Sequence, residues 1–317
     1  MQTSRSDCVR VVAGVSSLSL LVVCMVISFA KPLVAQSAPG PLLAVTFHKG
    51  TNAYLYYFNG SAMGSPEHLM GSKHADEANI HELRGMVVTT PGTVLLVNAY
   101  KKDSKIVQYQ GYCKSDKTIP SHGGNITIFS RDSLSHPYAI ILSPAGDSYF
   151  VTNQDSSNVV RIDRVTGSTS IVPLPEISQP RGLAFDSLGR LWISMDTLNL
   201  VNVYDNVTWQ IVASIPIHQP IFISFDPQRQ WMLITNSHST ETLLYAINPS
   251  SFEIVKVFSN PNFQHGTGIA SYQGQWFVLS QNTNMLFSID LDQGTMTELG
   301  NVDANGGSPE GLAVLWC

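Results

Sequence analysis

"SPEGLAVLWC" (308–317) opens like a β-strand, with a turn-forming Pro, a Gly and a short apolar run, but no return strand follows it. Upstream, "QPRGLAFDSLGRLWIS" (179–194) carries nearly the same opening into a full strand pair. Aligning on that opening yields six copies: "HELRGMVV" (81–88), "SHPYAIIL" (135–142), "QPRGLAFD" (179–186), "QPIFISFD" (219–226), "QHGTGIAS" (264–271) and "SPEGLAVL" (308–315). The position of Gly85 recurs as Ala139, Gly182, Phe222, Gly268 and Gly311, at intervals of 54, 43, 40, 46 and 43 residues. This period is too long for leucine-rich or ankyrin units and suits a four-stranded blade.

Within each unit apolar residues alternate with period two, as strands require. In the copy at 179 the strands a, b, c and d read "RGLAFD", "RLWISMD", "LVNVYD" and "WQIVASI". No stretch after residue 40 sustains a helical period, so the fold class is all-β. Residues 42–71, "LLAVTFHKGTNAYLYYFNGSAMGSPEHLMG", align with strands b, c and d and lack strand a. The orphan at 308–315 supplies it. Three strands from one end and one from the other complete a blade and close the ring, which hides edges that an open array would expose. The expected architecture is a six-bladed β-propeller over 42–317.

Charged residues make up 13% of the chain, and 23 Gly and 17 Pro accompany them, a mixture that fits short strands and tight turns. Arg5 and Arg10 precede the uncharged apolar run 11–30, and then come Lys31 and "PLVAQSA". Residues 1–35 read as a secretory signal peptide cleaved after Ala35, or, uncleaved, as a signal anchor long enough to span a bilayer. A short linker, 36–41, follows. Both readings send the propeller across the membrane, to the secretory lumen or outside the cell. A membrane partner is expected only for the uncleaved anchor. Removing Arg5, Arg10, Lys31 and Asp7 from 18 basic and 23 acidic residues leaves 15 and 22, a formal charge of −7. With no basic tract, nucleic acid is not an expected partner. Cys8 and Cys24 lie in the targeting segment, which leaves Cys113 and Cys317 as an expected disulfide in an oxidising compartment. Sequons at Asn59, Asn125 and Asn206 all fall at c–d connections, so glycans are expected on one face and contact on the other.

The wording of 180–193, Pro-x-Gly-apolar-x-apolar-Asp followed by Gly-x-Leu-Trp-apolar, resembles NHL repeats and the gluconolactonase (senescence marker protein), paraoxonase and strictosidine synthase propellers. The resemblance spans about residues 42–317 and is specific for architecture, since this fold hosts enzymes and binding modules alike. It implies a functional face formed by the d–a and b–c connections around the channel. In the resembled lactonases a divalent metal, such as Ca²⁺, sits there on a Glu, two Asn and an Asp.

The residues just before the recurring turn position are Glu310, Arg84, Tyr138, Arg181, Ile221 and Thr267, and these are expected at the channel mouth. Only Glu310 matches the lactonase metal pattern. Arg84 and Arg181 stand where ligands belong and carry no acceptor, so no cofactor is expected. Two readings of the arginines remain open. In one they pair with Glu82 and Glu310 as a structural plug; in the other they bind a small anion with Tyr138, His136 and His265. His48, His81, His218 and His238 lie on the same face, and together the imidazoles are expected to raise its charge between about pH 7 and 6. His265 and Glu310 are expected to approach each other across neighbouring blades, as are His136 and Arg181. Thr152, Ser194, Thr235 and Ser280 recur at b-strand ends and read as structural hydrogen bonders. Asn153, Asn236 and Asn282 beside them read as turn formers or ligand contacts. Trp192, Trp231 and Trp276 read as inter-blade packing. No nucleophile elbow is present. The leading expectation is a secreted or lumenal binding module for a small anionic ligand or an extracellular protein. The alternative is a lactonase-like hydrolase or lyase with a metal at Glu310.

Overall fold

The computed structural model describes residues 42–48, 53–57, 67–70, 79–112, 124–175, 178–238, 242–302 and 307–316. The targeting segment, the linker, Asn59, Cys113 and Cys317 lie outside them. Among these residues, 24 strands form six antiparallel four-stranded sheets, with no α-helix. In blades 2 to 6 the four strands follow one another in chain order. Blade 1 is the composite one: Ser308–Leu315 pairs with Leu42–His48, in register Leu42↔Leu315 and Ala44↔Ala313. Ala53–Tyr57 and Glu67–His68 complete it. The six-bladed, all-β expectation and its mode of closure are both borne out.

Alternation along each strand decides where apolar groups go. Leu42 and Ala44 face blade 2, whereas Leu43 and Val45 face blade 6. Val94 and Leu96 face blade 1, whereas Leu95 and Val97 face blade 3. Six apolar clusters result, one in each of the six interfaces between neighbouring blades. Burial on both faces of each sheet supplies the main driving force for the ring. Trp192 and Trp276 are fully buried in two of these interfaces and Trp231 packs on the second, as expected.

The inner strands, Ser308–Leu315, Leu83–Thr90, Pro137–Leu142, Pro180–Phe185, Pro220–Asp226 and Gly266–Tyr272, stand side by side around the channel. Each breaks register against its b strand at the same place. Arg84-Gly85, Tyr138-Ala139, Arg181-Gly182, Ile221-Phe222, Thr267-Gly268 and Glu310-Gly311 all lie within a bulge. A bulge re-aims one side chain, and here it brings Glu310, Arg84, Tyr138 and Arg181 together, whereas Ile221 packs into an inter-blade core. The glycines let the next strand approach. A Cβ on Gly182 would lie 2.4 Å from the Ile221 carbonyl oxygen and 2.6 Å from the Phe222 Cα. Gly182→Ala is therefore expected to lower the unfolding free energy by about 1–3 kcal/mol, because backbone cannot rotate out of the way. An unchanged denaturant midpoint would show that blades 4 and 5 part freely.

Hydroxyls at b-strand ends tie the inner strands together. Thr152 Oγ1 donates to the Arg181 carbonyl at 2.6 Å, Ser194 Oγ to that of Ile221 at 2.7 Å, and Thr235 Oγ1 to that of Thr267 at 3.4 Å. Thr46 makes the equivalent bond to the Arg84 carbonyl. The structural reading of these residues holds, with one difference: Ser280 bonds into its own d–a connection, to Asn262 and Gln264. Asn153 and Asn236 make turns, accepting from Ser135 N and Leu243 N. Asn206 lies exposed in the turn between Leu200–Tyr204 and Ile211–Pro216, and exposed Asn125 begins Asn125–Ser130, both on c–d connections.

Candidate functional site

The bulged residues meet in a buried polar plug. Glu310, 1% exposed, accepts hydrogen bonds from the Tyr138 hydroxyl and the Gln281 amide and pairs with Arg84 Nη1 at 3.1 Å. Arg84 Nη2 reaches His48 Nε2 at 3.1 Å. The guanidiniums of Arg84 and Arg181 stand over the Tyr138 ring, 5.5 and 5.1 Å from its centroid, a cation–π arrangement made strong by desolvation. Burial alone would raise the Glu310 carboxyl, but the Arg84 charge, the Tyr138 hydrogen bond and the Arg181 charge outweigh it and hold Glu310 ionised. Burial and the Glu310 charge push the Tyr138 phenol far above its ordinary range, so it serves as a donor. Ile221 is buried in the blade 3–4 core, and Thr267 Oγ1 donates to the Pro309 carbonyl at 3.2 Å.

Two pairings differ from expectation. Arg181 gives Nε and Nη2 to a single oxygen, Asp196 Oδ2, at 2.9 and 2.8 Å, not to Glu82 or Glu310. Asp196 lies in a short 3₁₀ turn, Asp196–Leu198, after the b strand, where strand alternation no longer says which way a side chain points. Glu82 faces His48, at 3.8 Å. Tyr138 is fully buried beneath the two guanidiniums and does not line the cavity above.

That cavity, ≈ 280 Å³, opens on the d–a/b–c side over the plug. Its wall brings together Arg84, Arg181, His136, His265 and Glu310 from the expected set, with His48. Sequence reasoning missed Lys101, Gln154, Asp155, Gln179 and Gln281, which also line it. Asp155 bridges His136 Nδ1 at 3.0 Å and Lys101 Nζ at 3.0 Å. Of the other histidines, His81 packs on Tyr100 and His218 on His238, and neither pair lines the cavity.

A backbone feature recurs where the chain enters the inner strands, and three of its four instances, His136, Gln179 and His265, line the cavity. The residue before four inner strands adopts a left-handed conformation: His136 (φ 49°), Gln179 (φ 42°), Gln219 (φ 47°) and His265 (φ 57°). For non-glycine residues this is uncommon and concentrates at functional positions. The dipeptides His-Pro, Gln-Pro, Gln-Pro and His-Gly are its trace in the sequence.

Burial lowers the His265 pKa below the ordinary imidazole value, with Glu310 opposing and Arg181 adding to the shift. The lowered pKa works against His265 sharing in the expected rise in charge between pH 7 and 6. A depressed folded pKa contributes stability that is complete above the unfolded value of about 6.5 and is lost as pH falls through the folded one. The thermal midpoint is therefore expected to fall on acidification from about pH 7 toward 5, and His265→Gln to flatten that slope. An unchanged slope in the variant would remove His265 as its source.

The donor set does not fit a divalent cation. Such an ion needs several free oxygen donors, whereas both Glu310 oxygens already accept from Arg84, Tyr138 and Gln281. A guanidinium 3.1 Å from Glu310 stands where the ion would go. Among the described residues no group of three or more His, Cys, Asp or Glu is placed to hold a metal.

No protein-family model matches the chain, and no curated protein matches it by sequence. Solved structures do match. A chain of a nidogen/laminin complex aligns at 15% identity and TM-score 0.69, over 88% of this chain and 100% of that one. Virginiamycin B lyase from Staphylococcus aureus aligns at 18% and 0.55, over 72% and 73%. The periplasmic gluconolactonase of Pseudomonas aeruginosa aligns at 15% and 0.59, over 87% and 99%. At these identities what is shared is the propeller fold, and activity has to be argued from the site.

Proposed function

We propose that this chain is a secreted or lumenal binding module that takes a small carboxylate at the channel mouth. The observation that carries this reading is the unequal use of Arg181. Two of its nitrogens are spent on one Asp196 oxygen, and Nη1 has no partner among the described residues beside the cavity. Asp196 neutralises Arg181 and orients it, and charge-assisted hydrogen bonding from the remaining edge suits a carboxylate. Lys101 and His136, both held by Asp155, frame the opening. The protein partner in the nidogen/laminin complex supports binding as a use of this fold. The matched lyase and lactonase supply the rival, enzymatic reading, but Glu310, the one residue that fits the lactonase metal pattern, is already saturated by Arg84, Tyr138 and Gln281.

Isothermal titration of the mature protein with propionate tests the assignment. Arg181→Gln is expected to weaken binding by about 10–100-fold, the worth of a charged hydrogen bond. Equal affinity in the variant, or failure of propionate and every other small carboxylate to bind wild type, would sink the reading. Secretion is checked on the same preparation, by an N-terminus beginning at Gln36.

A further inference from the structure

Gln154 is 6% exposed, lines the cavity, and its Oε1 has no hydrogen-bond partner. Leaving a buried acceptor unmatched is costly, and such a group in a native protein is met by an ordered water, an ion or a ligand. Its position follows from the strands. Thr152, two residues earlier, bonds to the Arg181 carbonyl across the blade 3–4 boundary, and Gln154 N donates to the His136 carbonyl at 3.1 Å. Gln154 is thereby set beside Arg181 at the same mouth. One wall then offers two complementary needs, a guanidinium edge lacking an acceptor and an amide oxygen lacking a donor.

Resting on the proposed carboxylate site, we infer that the ligand is a carboxylate that also carries a neutral hydrogen-bond donor, an O–H or an amide N–H, given to Gln154 Oε1. A charged ammonium donor is disfavoured because it would sit on the same wall as the Arg181 guanidinium, a like charge. The cavity has room for one small acid and a few waters, each about 30 Å³. Two sources share this chemistry, a free hydroxy acid and the C-terminal residue of a peptide.

The test compares propionate, lactate, N-acetylalanine and alanine by calorimetry on the full mature chain. Lactate or N-acetylalanine is expected to bind about tenfold more tightly than propionate, and alanine no better than propionate. Preference for lactate points to a free hydroxy acid, and preference for N-acetylalanine to a peptide end. Gln154→Met, close in shape and without the acceptor, is expected to bring the ratio to about one. Equal wild-type affinities for all the acids, or a preference that survives Gln154→Met, would overturn the inference while leaving the carboxylate site standing. Failure of every acid, propionate included, would instead remove the site. Should the Met variant not fold, the wild-type ratios still decide.

Discussion

Glu310→Ala is expected to lower the unfolding free energy by about 3–5 kcal/mol, the cost of stranding a buried charge. Arg84, 5% exposed, would lose its carboxylate, and the buried Tyr138 hydroxyl would lose its acceptor. Most of the loss belongs to the stranded partner and not to the worth of the pair. The double variant Glu310→Leu with Arg84→Met is accordingly expected to recover more than half of it, since a buried pair replaced by apolar groups of similar size is often neutral or better. Urea unfolding of wild type, Glu310→Leu, Arg84→Met and the double variant, with Glu310→Ala beside them, measures this directly. A Glu310→Ala variant within about 1 kcal/mol of wild type would mean that the carboxylate is solvated, contrary to its burial.

Reduction is expected to cost nearly as much. Cys113 and Cys317 are proposed to form a disulfide across the closing seam. Support comes from their described neighbours: the Tyr112 hydroxyl donates to the Trp316 carbonyl at 3.2 Å, and Tyr112 shares a core cluster with Leu315. In the chain-entropy model a bond closing a loop of about 200 residues stabilises by at most roughly 5 kcal/mol. Cys317→Ser is expected to lose a large part of that, and a non-reducing peptide map of the unreduced protein to show the cross-linked pair. Alkylation of both thiols without reductant would remove the bond. The composite blade would then be held by strand pairing, by apolar packing that includes Leu42, Leu43, Val45 and Leu312, and by polar contacts such as Thr46 to the Arg84 carbonyl.

The architecture was legible because period-two strands and a recurring turn are local signals, and because a b-c-d triplet at 42–71 matched a lone a strand at 308–315. The plug was legible for the same reason. One bulge position per blade recurs in the sequence, so Glu310, Arg84, Tyr138 and Arg181 could be placed at the channel. Alternation stops being informative where strands end. Asp196 and Lys101 lie in connections between b and c strands, and their directions depend on turns that no periodicity encodes. Gln154 and Gln281 each stand one residue beyond a position that was singled out, Asn153 and Ser280. The left-handed His136, Gln179 and His265 bend the chain into the mouth by tertiary constraint, against their own backbone preference.

The channel mouth is proposed to hold a carboxylate on Arg181 above a plug closed by Arg84 and Glu310. A crystal structure of the mature protein grown with lactate tests it most directly. Lactate carboxylate density is expected against Arg181 Nη1, with the lactate hydroxyl on Gln154 and an intact Arg84–Glu310 pair below. A divalent cation bound to Glu310 with Arg84 displaced, or a mouth holding only water at saturating lactate, would contradict it.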